Sequence, residues 1–213
     1  MKTSVRTTWS RLTTHSYPTF IKDKIEMKFT EHEIYHIYNR GNNQGLIFFE
    51  DRNYQFFLSK IKKELLPSCD ILSYCLMPNH FHLMVYVKET EAKTYLDNHP
   101  LVRKIGTLQS SYTRAIQKQN DSTGSVFQQK AKAINVTDNK YLQTCFHYIH
   151  QNPLKAKMVD KIEDWKYSSF NEYLFNKPNL CNVELAKKFD LFIEKTFYKE
   201  SYEIIRDDVY NIL

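Results

Sequence analysis

The stretch that most restricts how this chain can fold runs from Asp70 to Val87. Two apolar runs, Asp70 to Leu76 and Phe81 to Val87, are separated by only Met77-Pro78-Asn79. So short a connection, made of turn-forming residues, joins neighbouring antiparallel strands and nothing else, so the segment reads as a hairpin. His80 and His82 open its second strand. Side chains at i and i+2 of a strand share a face, so the two imidazoles project side by side while Phe81 enters the core on the other face. Two imidazoles so presented can share one divalent cation. They can also be two polar residues on a solvated face.

The flanking segments supply the rest of a sheet. Ile34-Tyr35-His36-Ile37-Tyr38 reads as a strand, broken by the turn residues of Arg40-Gly41-Asn42-Asn43-Gln44-Gly45. With Asp51 as N-cap, Tyr54, Phe57, Leu58, Ile61 and Leu65 recur at helical spacing until Pro67 ends the run. A polar stretch over 88–99 leads to a helix over about 100–118, with Leu101, Ile105, Leu108, Tyr112 and Ile116 on one side. Lys130 to Val136 alternates polar and apolar as an edge strand carrying lysines, and Asp138 caps a helix ending near Asn152. Residues 183–197 show another helical apolar face (Val183, Ala186, Phe189, Ile193, Phe197). The order β-α-β-β-α-β-α predicts an α+β fold of ferredoxin-like kind, a mainly antiparallel sheet with the histidine strand central.

A second cluster, Tyr148-Ile149-His150-Gln151-Asn152-Pro153, lies on the helix expected over 138–152. Tyr148 and Asn152, at i and i+4, share one face one turn apart. A phenol can attack phosphorus, and an amide oxygen can complete the coordination of a hard cation. Two plainer readings stay open: Tyr148 as core, and Asn152 as cap of a new helix opened by Pro153. His150, at i+2, points elsewhere round the helix and reads as structural or as facing a bound partner.

Composition narrows the class. The 213 residues suit one domain with appendages, and 42% hydrophobic content suffices for a core. The formal net charge of +6 suits a polyanionic partner. It is unevenly spread: residues 1–160 carry 22 Lys/Arg against 14 Asp/Glu, and 161–213 carry 8 against 10. Cys69, Cys75, Cys145 and Cys181 have no C-x-x-C spacing, which argues against a zinc knuckle or disulfide framework and for a reduced, cytoplasmic setting. No apolar run approaches the roughly 20 residues of a membrane span. The acid-free, Ser/Thr-rich residues 1–22 read as part of a basic arm over 1–27; a start at Met27 and, less so, a transit peptide are the other readings.

Five collinear motifs carry a family resemblance: Tyr35-His36-Ile37-Tyr38-Asn39-Arg40-Gly41; Tyr74 to His82; Gly124-Ser125-Val126-Phe127-Gln128; Tyr148 to Pro153; and Asp164-Trp165-Lys166-Tyr167-Ser168-Ser169. Together they resemble the single-tyrosine HUH transposases, most closely the REP-associated tyrosine transposases, over about 28–175. The resemblance implies a central HUH nuclease domain (28–175) and leaves 176–213 as a helical extension. It also implies a prokaryotic, nucleoid-associated enzyme that cuts single-stranded DNA beside imperfect palindromes or hairpins, as a monomer or homodimer. His80, His82 and Asn152 then match the ligands of Mg²⁺ or Mn²⁺, and Tyr148 matches the nucleophile that forms a 5′-phosphotyrosine. Arg40, Asn42, Asn43, Arg103, Lys104, Arg114, Lys130 and Lys132 are the candidate DNA contacts, each of them also explicable as solvated surface or, for the two asparagines, as loop formers.

Other functions compete. A hairpin-binding regulator with a silent nuclease would use the same surface, and a replication initiator or relaxase would share the histidine pair. A hydrolytic zinc enzyme is poorly supported, because no H-E-x-x-H or cysteine pair accompanies the histidines.

Overall fold

The computed structural model describes residues 27–90, 99–136 and 139–203. Residues 1–26 of the expected arm, the expected cap Asp138 and the end of the C-terminal extension (204–213) lie outside the described residues. Four strands, β1 (Ile34–Arg40), β2 (Cys69–Met77), β3 (His80–Val87) and β4 (Lys132–Asn135), form one antiparallel sheet in the order β2-β3-β1-β4. This is the ferredoxin-like arrangement expected from the element order, with the histidine strand central.

The hairpin is tighter than its three-residue connection suggests. Met77 pairs with His80, leaving Pro78-Asn79 as a two-residue turn. Its tip is clamped by the loop after β1: Gly41 N donates to Asn79 O at 2.7 Å, and Ile47 N and Phe48 N donate to Pro78 O at 2.7 and 3.0 Å. That loop doubles back so closely that a Cβ on Gly41 would collide with the Gly45 carbonyl. Glycine is the residue that permits such backbone approach.

Alternation along β3 assigns the two faces. Phe81 packs against Phe57 of α1 (Asp51–Glu64), and Phe57 meets Tyr112 of α2 (Pro100–Asn120), so these helices cover one face. His80 and His82 point to the other face, where α3 (Asn139–Lys155) lies across β2 and β3. Both faces being covered, β2 and β3 are buried along nearly their whole length.

Several boundaries differ from the sequence reading. Glu50 rather than Asp51 occupies the cap of α1, because Asn53 Oδ1 accepts from Phe49 N and Glu50 N at 3.0 and 3.1 Å. Asp51 instead holds Lys166 and the Tyr167 hydroxyl at 2.7 and 2.6 Å. Strand β4 is confined to four residues, and α3 continues through Pro153. The helix expected over 183–197 is two short ones, α5 (Val183–Lys188) and α6 (Phe197–Ser201), preceded by α4 (Phe170–Leu174). Asp190, at φ 50°, breaks the run; Leu191 and Phe192 turn inward while Ile193 is left exposed. No helix among the described residues is long and apolar enough to cross a membrane.

The segment 165–169 decides where α3 sits. It runs along the free edge of β2, with Leu76 N donating to Tyr167 O at 2.9 Å and Trp165 Nε1 to Leu76 O at 3.1 Å. Covering an edge in this way removes a template for unwanted pairing. Ser169 Oγ then meets Nε2 of the buried His150 at 2.7 Å, tying α3 to that segment. From its outer side α3 is held by α6, through His147 Nδ1 to Ser201 Oγ at 3.1 Å and Gln151 Nε2 to Ser201 O at 2.9 Å.

Candidate active site

The two clusters predicted from sequence meet between β3 and α3. The ring of Tyr148 stands edge-on to His82, with centroids 5.4 Å apart, and His80 Nε2 lies 3.5 Å from Asn152 Oδ1. The His80 and His82 rings are 5.1 Å apart and nearly perpendicular. His150 is buried against Ser169 and takes no part.

Each donor atom is oriented by its neighbours. Asn79 Nδ2 reaches Gln44 O at 3.4 Å, which turns its Oδ1 toward His80 Nδ1 at 2.6 Å. An amide oxygen only accepts, so His80 Nδ1 carries the hydrogen and Nε2 keeps its lone pair. Burial, with help from Arg40, holds the His80 pKa below its ordinary value against an opposing pull from Asn152, so the ring is neutral. Asn152 is oriented by its own helix: Nδ2 donates to Tyr148 O at 2.9 Å and to Ile149 O at 3.4 Å. Pro153 has no N–H to give the Ile149 carbonyl, so the amide occupies an acceptor that the proline leaves open, and Oδ1 faces His80. Asn152 is thus not the cap of a new helix.

With the hydrogen on Nδ1, His80 Nε2 presents its lone pair to the acceptor oxygen of Asn152 at 3.5 Å. A divalent cation between them would relieve that arrangement, since imidazole nitrogen is a common metal ligand and an amide oxygen suits hard cations. Among the described residues no three His, Cys, Asp or Glu side chains converge to hold a metal, so such a site depends on the amide.

Tyr148 is half-buried, and desolvation, reinforced by Cys145, pushes its hydroxyl up to about 12 against the downward pull of Asn152. It is a phenol at neutral pH, not a phenolate.

The candidate DNA contacts divide between the two faces. Arg40 pairs with His80 and Lys132 with Tyr38 in the strand registers, so both share the histidine face. The Lys132 ammonium lies 5.8 Å from the Tyr38 ring centre, and Tyr38 stacks on His36 and His82. Asn42 and Asn43 are exposed in the loop clamped to the hairpin tip, Asn43 at φ 50°, and Lys130 is exposed just ahead of β4. Arg103, Lys104 and Arg114 instead lie on α2, across the sheet from His80, with Lys104 3.7 Å from Glu64.

Sequence reasoning passed over His36. It is fully buried on β1, and its Nε2 lies 2.8 Å from His82 Nδ1. The available signal was that His36 sits two residues before Tyr38 on the same strand and so shares its face.

Comparison with known proteins bears on the fold and on the family resemblance. No family model matches the chain. A Haemophilus influenzae protein named as a candidate REP-associated tyrosine transposase is 25% identical over 148 residues, 60% of this chain and 80% of that protein. The solved structure of a REP-associated tyrosine transposase bound to a REP hairpin superposes with a TM-score of 0.57 at 15% identity, covering 85% of this chain and 98% of that one. A bacterial tRNA(His) guanylyltransferase-like protein in complex with ATP aligns at a TM-score of 0.43 and 10% identity, over 76% of this chain and 69% of that one. The resemblance read from the motifs thus holds in sequence and in fold.

Proposed function

We propose that this relative of the REP-associated tyrosine transposases is a metal-dependent endonuclease and strand transferase that cuts single-stranded DNA beside a hairpin. The observation that carries the reading is the confrontation of His80 Nε2 and Asn152 Oδ1 at 3.5 Å on the face where Tyr148 stands. His80, His82 and Asn152 would hold Mg²⁺ or Mn²⁺, which when bound supplies a Lewis acid for the scissile phosphate. Arg40 and Lys132, on the same face, hold the phosphate backbone beside it. Tyr148 is presented by a helix fixed on both sides, so the attacking oxygen is positioned before substrate arrives.

The chemistry is a single exchange. The Tyr148 hydroxyl loses its proton and forms a bond to phosphorus, while the bond from phosphorus to the 3′ oxygen breaks and that oxygen takes up a proton. The product is a 5′-phosphotyrosine and a free 3′-OH. The covalent bond retains the phosphodiester energy, so a second 3′-OH can reverse the step onto another strand without a nucleotide. The four cysteines are buried and unpaired, in keeping with a reduced cytoplasm.

The test is a denaturing gel of the purified chain with Mn²⁺ and end-labelled single-stranded hairpin oligonucleotides, beside Tyr148→Phe. A metal-dependent, protease-sensitive shifted band absent from the variant is the expected result. Binding without adduct, for hairpins taken from the DNA flanking its own gene, would replace this reading with that of a hairpin-binding regulator.

A further inference from the structure

The His36–His82 contact has no part in the reading above, yet it is a buried polar contact made directly to a candidate ligand. His36 is fully buried at the centre of the sheet. Its ring lies nearly parallel to that of Tyr38 at 5.1 Å, is close to coplanar with that of His82, whose centroid is 5.0 Å away, and stands edge-on to Tyr148 at 6.2 Å. Aromatic surfaces therefore hold its plane. Its Nε2 meets His82 Nδ1 at 2.8 Å, and its Nδ1 is buried with no partner. A buried imidazole with one polar contact, aimed at a candidate metal ligand, is costly to keep unless the contact itself is useful.

Two neutral imidazoles joined at one contact share one hydrogen, and its position fixes the chemistry of the other nitrogens. If His36 Nε2 held it, His82 Nδ1 would accept and His82 Nε2 would bear a hydrogen, leaving no lone pair for a cation. If His82 Nδ1 holds it, His36 accepts and His82 Nε2 is bare. Only the second arrangement lets His82 ligate. Metal-binding histidines owe both ring orientation and basicity to such a partner on the other nitrogen, most often a carboxylate, a carbonyl or water.

We propose that His36 is a positioning residue: by accepting the hydrogen of His82 Nδ1 it makes His82 Nε2 the ligating atom and fixes that ring for the divalent cation. Here an imidazole does what a carboxylate or carbonyl usually does, and His36 Nδ1, buried without a partner, carries the hydrogen that Nε2 gives up. The inference rests on the nuclease reading.

The experiment uses the full chain freed of metal and follows Mn²⁺ binding by electron paramagnetic resonance in wild type, His36→Gln and His36→Leu. Glutamine can place an acceptor oxygen near the position of His36 Nε2, whereas leucine fills the space and accepts nothing. Wild type and His36→Gln should bind Mn²⁺ within about threefold of each other, and His36→Leu about 10- to 100-fold more weakly. Equal binding by wild type and His36→Leu would overturn the inference and leave the nuclease reading standing. No Mn²⁺ site in wild type would overturn both. Should His36→Leu not fold, ¹⁵N shifts of wild-type histidines at saturating Mg²⁺ decide the matter. His82 must then show a protonated Nδ1 and a bare Nε2, and the opposite pattern refutes the assignment.

Discussion

Acidification in the absence of divalent cation should unfold this protein well above the carboxylate range. His36 and His147 are held at about 3 and about 4 by burial, and His82 and His150, also buried, are held well below the ordinary value. The unfolded chain binds a proton at each histidine near pH 6.5, whereas the folded chain does not. Because these bases have depressed folded values, their stabilisation is complete above about pH 6.5 and is lost as pH falls toward the folded values. His36 and His147 each contribute about 1.4 kcal/mol per pH unit, or about 2 kcal/mol by pH 5. His36 and His147 together therefore account for a loss of about 4 kcal/mol at pH 5, and His82 and His150, displaced in the same direction by burial, add to it. That is a large part of the roughly 5–15 kcal/mol of a typical domain, equivalent to a fall in Tm of order 10–20 °C. Urea unfolding at about pH 7.5, 6 and 5 measures it, and the slope reports protons taken up on unfolding. Fewer than about one proton taken up between pH 6.5 and 5 would refute the assignment of these rings as buried and neutral.

Other perturbations separate the parts of the molecule. Arg40→Ala and Lys132→Ala should each weaken hairpin binding and reduce the salt slope by about 1, whereas Arg103→Ala and Arg114→Ala, across the sheet, should leave both unchanged in anisotropy titrations. Gly41→Ala, whose Cβ meets the Gly45 carbonyl, should cost about 2 kcal/mol or more in urea unfolding and displace the clamp on the hairpin tip. Glu172→Ala should cost about 3 kcal/mol, because Glu172 Oε2 accepts from the backbone N–H groups of Asn179, Leu180 and Cys181 at 2.8, 3.0 and 3.0 Å. Pro153→Ala returns an N–H to the Ile149 carbonyl, so stability should stay within about 1 kcal/mol by urea unfolding, while Mn²⁺ affinity falls as Asn152 loses part of its anchor.

The sheet was legible because its signals are local. The spacing of Ile71 to Leu76 and Phe81 to Val87 admits only a hairpin, and the helical spacing of Tyr54 to Leu65 and of Leu101 to Ile116 leaves little choice for α1 and α2. The C-terminal helix was misread for the same reason. Val183, Ala186, Phe189, Ile193 and Phe197 have helical spacing, but burial of Leu191 and Phe192 against the core outweighs that periodicity, and Asp190 turns left-handed to allow it. Nor could Asp164 to Ser169 be read as an edge cover, since its hydrogen bonds run to β2, about 90 residues away in sequence.

Within the site, the ligand candidates were legible because i, i+2 on a strand and i, i+4 on a helix fix which side chains travel together. The orienting groups were not, because each acts across the fold or through the backbone. His36 reaches His82 from the neighbouring strand, a pairing set by the β1–β3 register, which the sequence of neither strand contains. Asn152 is the instructive case between these extremes. Asn-Pro suggested a cap and a new helix, since proline favours a first turn. Inside a continuing helix the same dipeptide does something else: the proline leaves the carbonyl four residues back without its donor, and the preceding asparagine is the side chain able to reach it. Once the amide nitrogen is so committed, the oxygen has one direction left, toward His80. The adjacency of Asn152 and Pro153 is therefore how this helix aims a neutral acceptor at the candidate cation site.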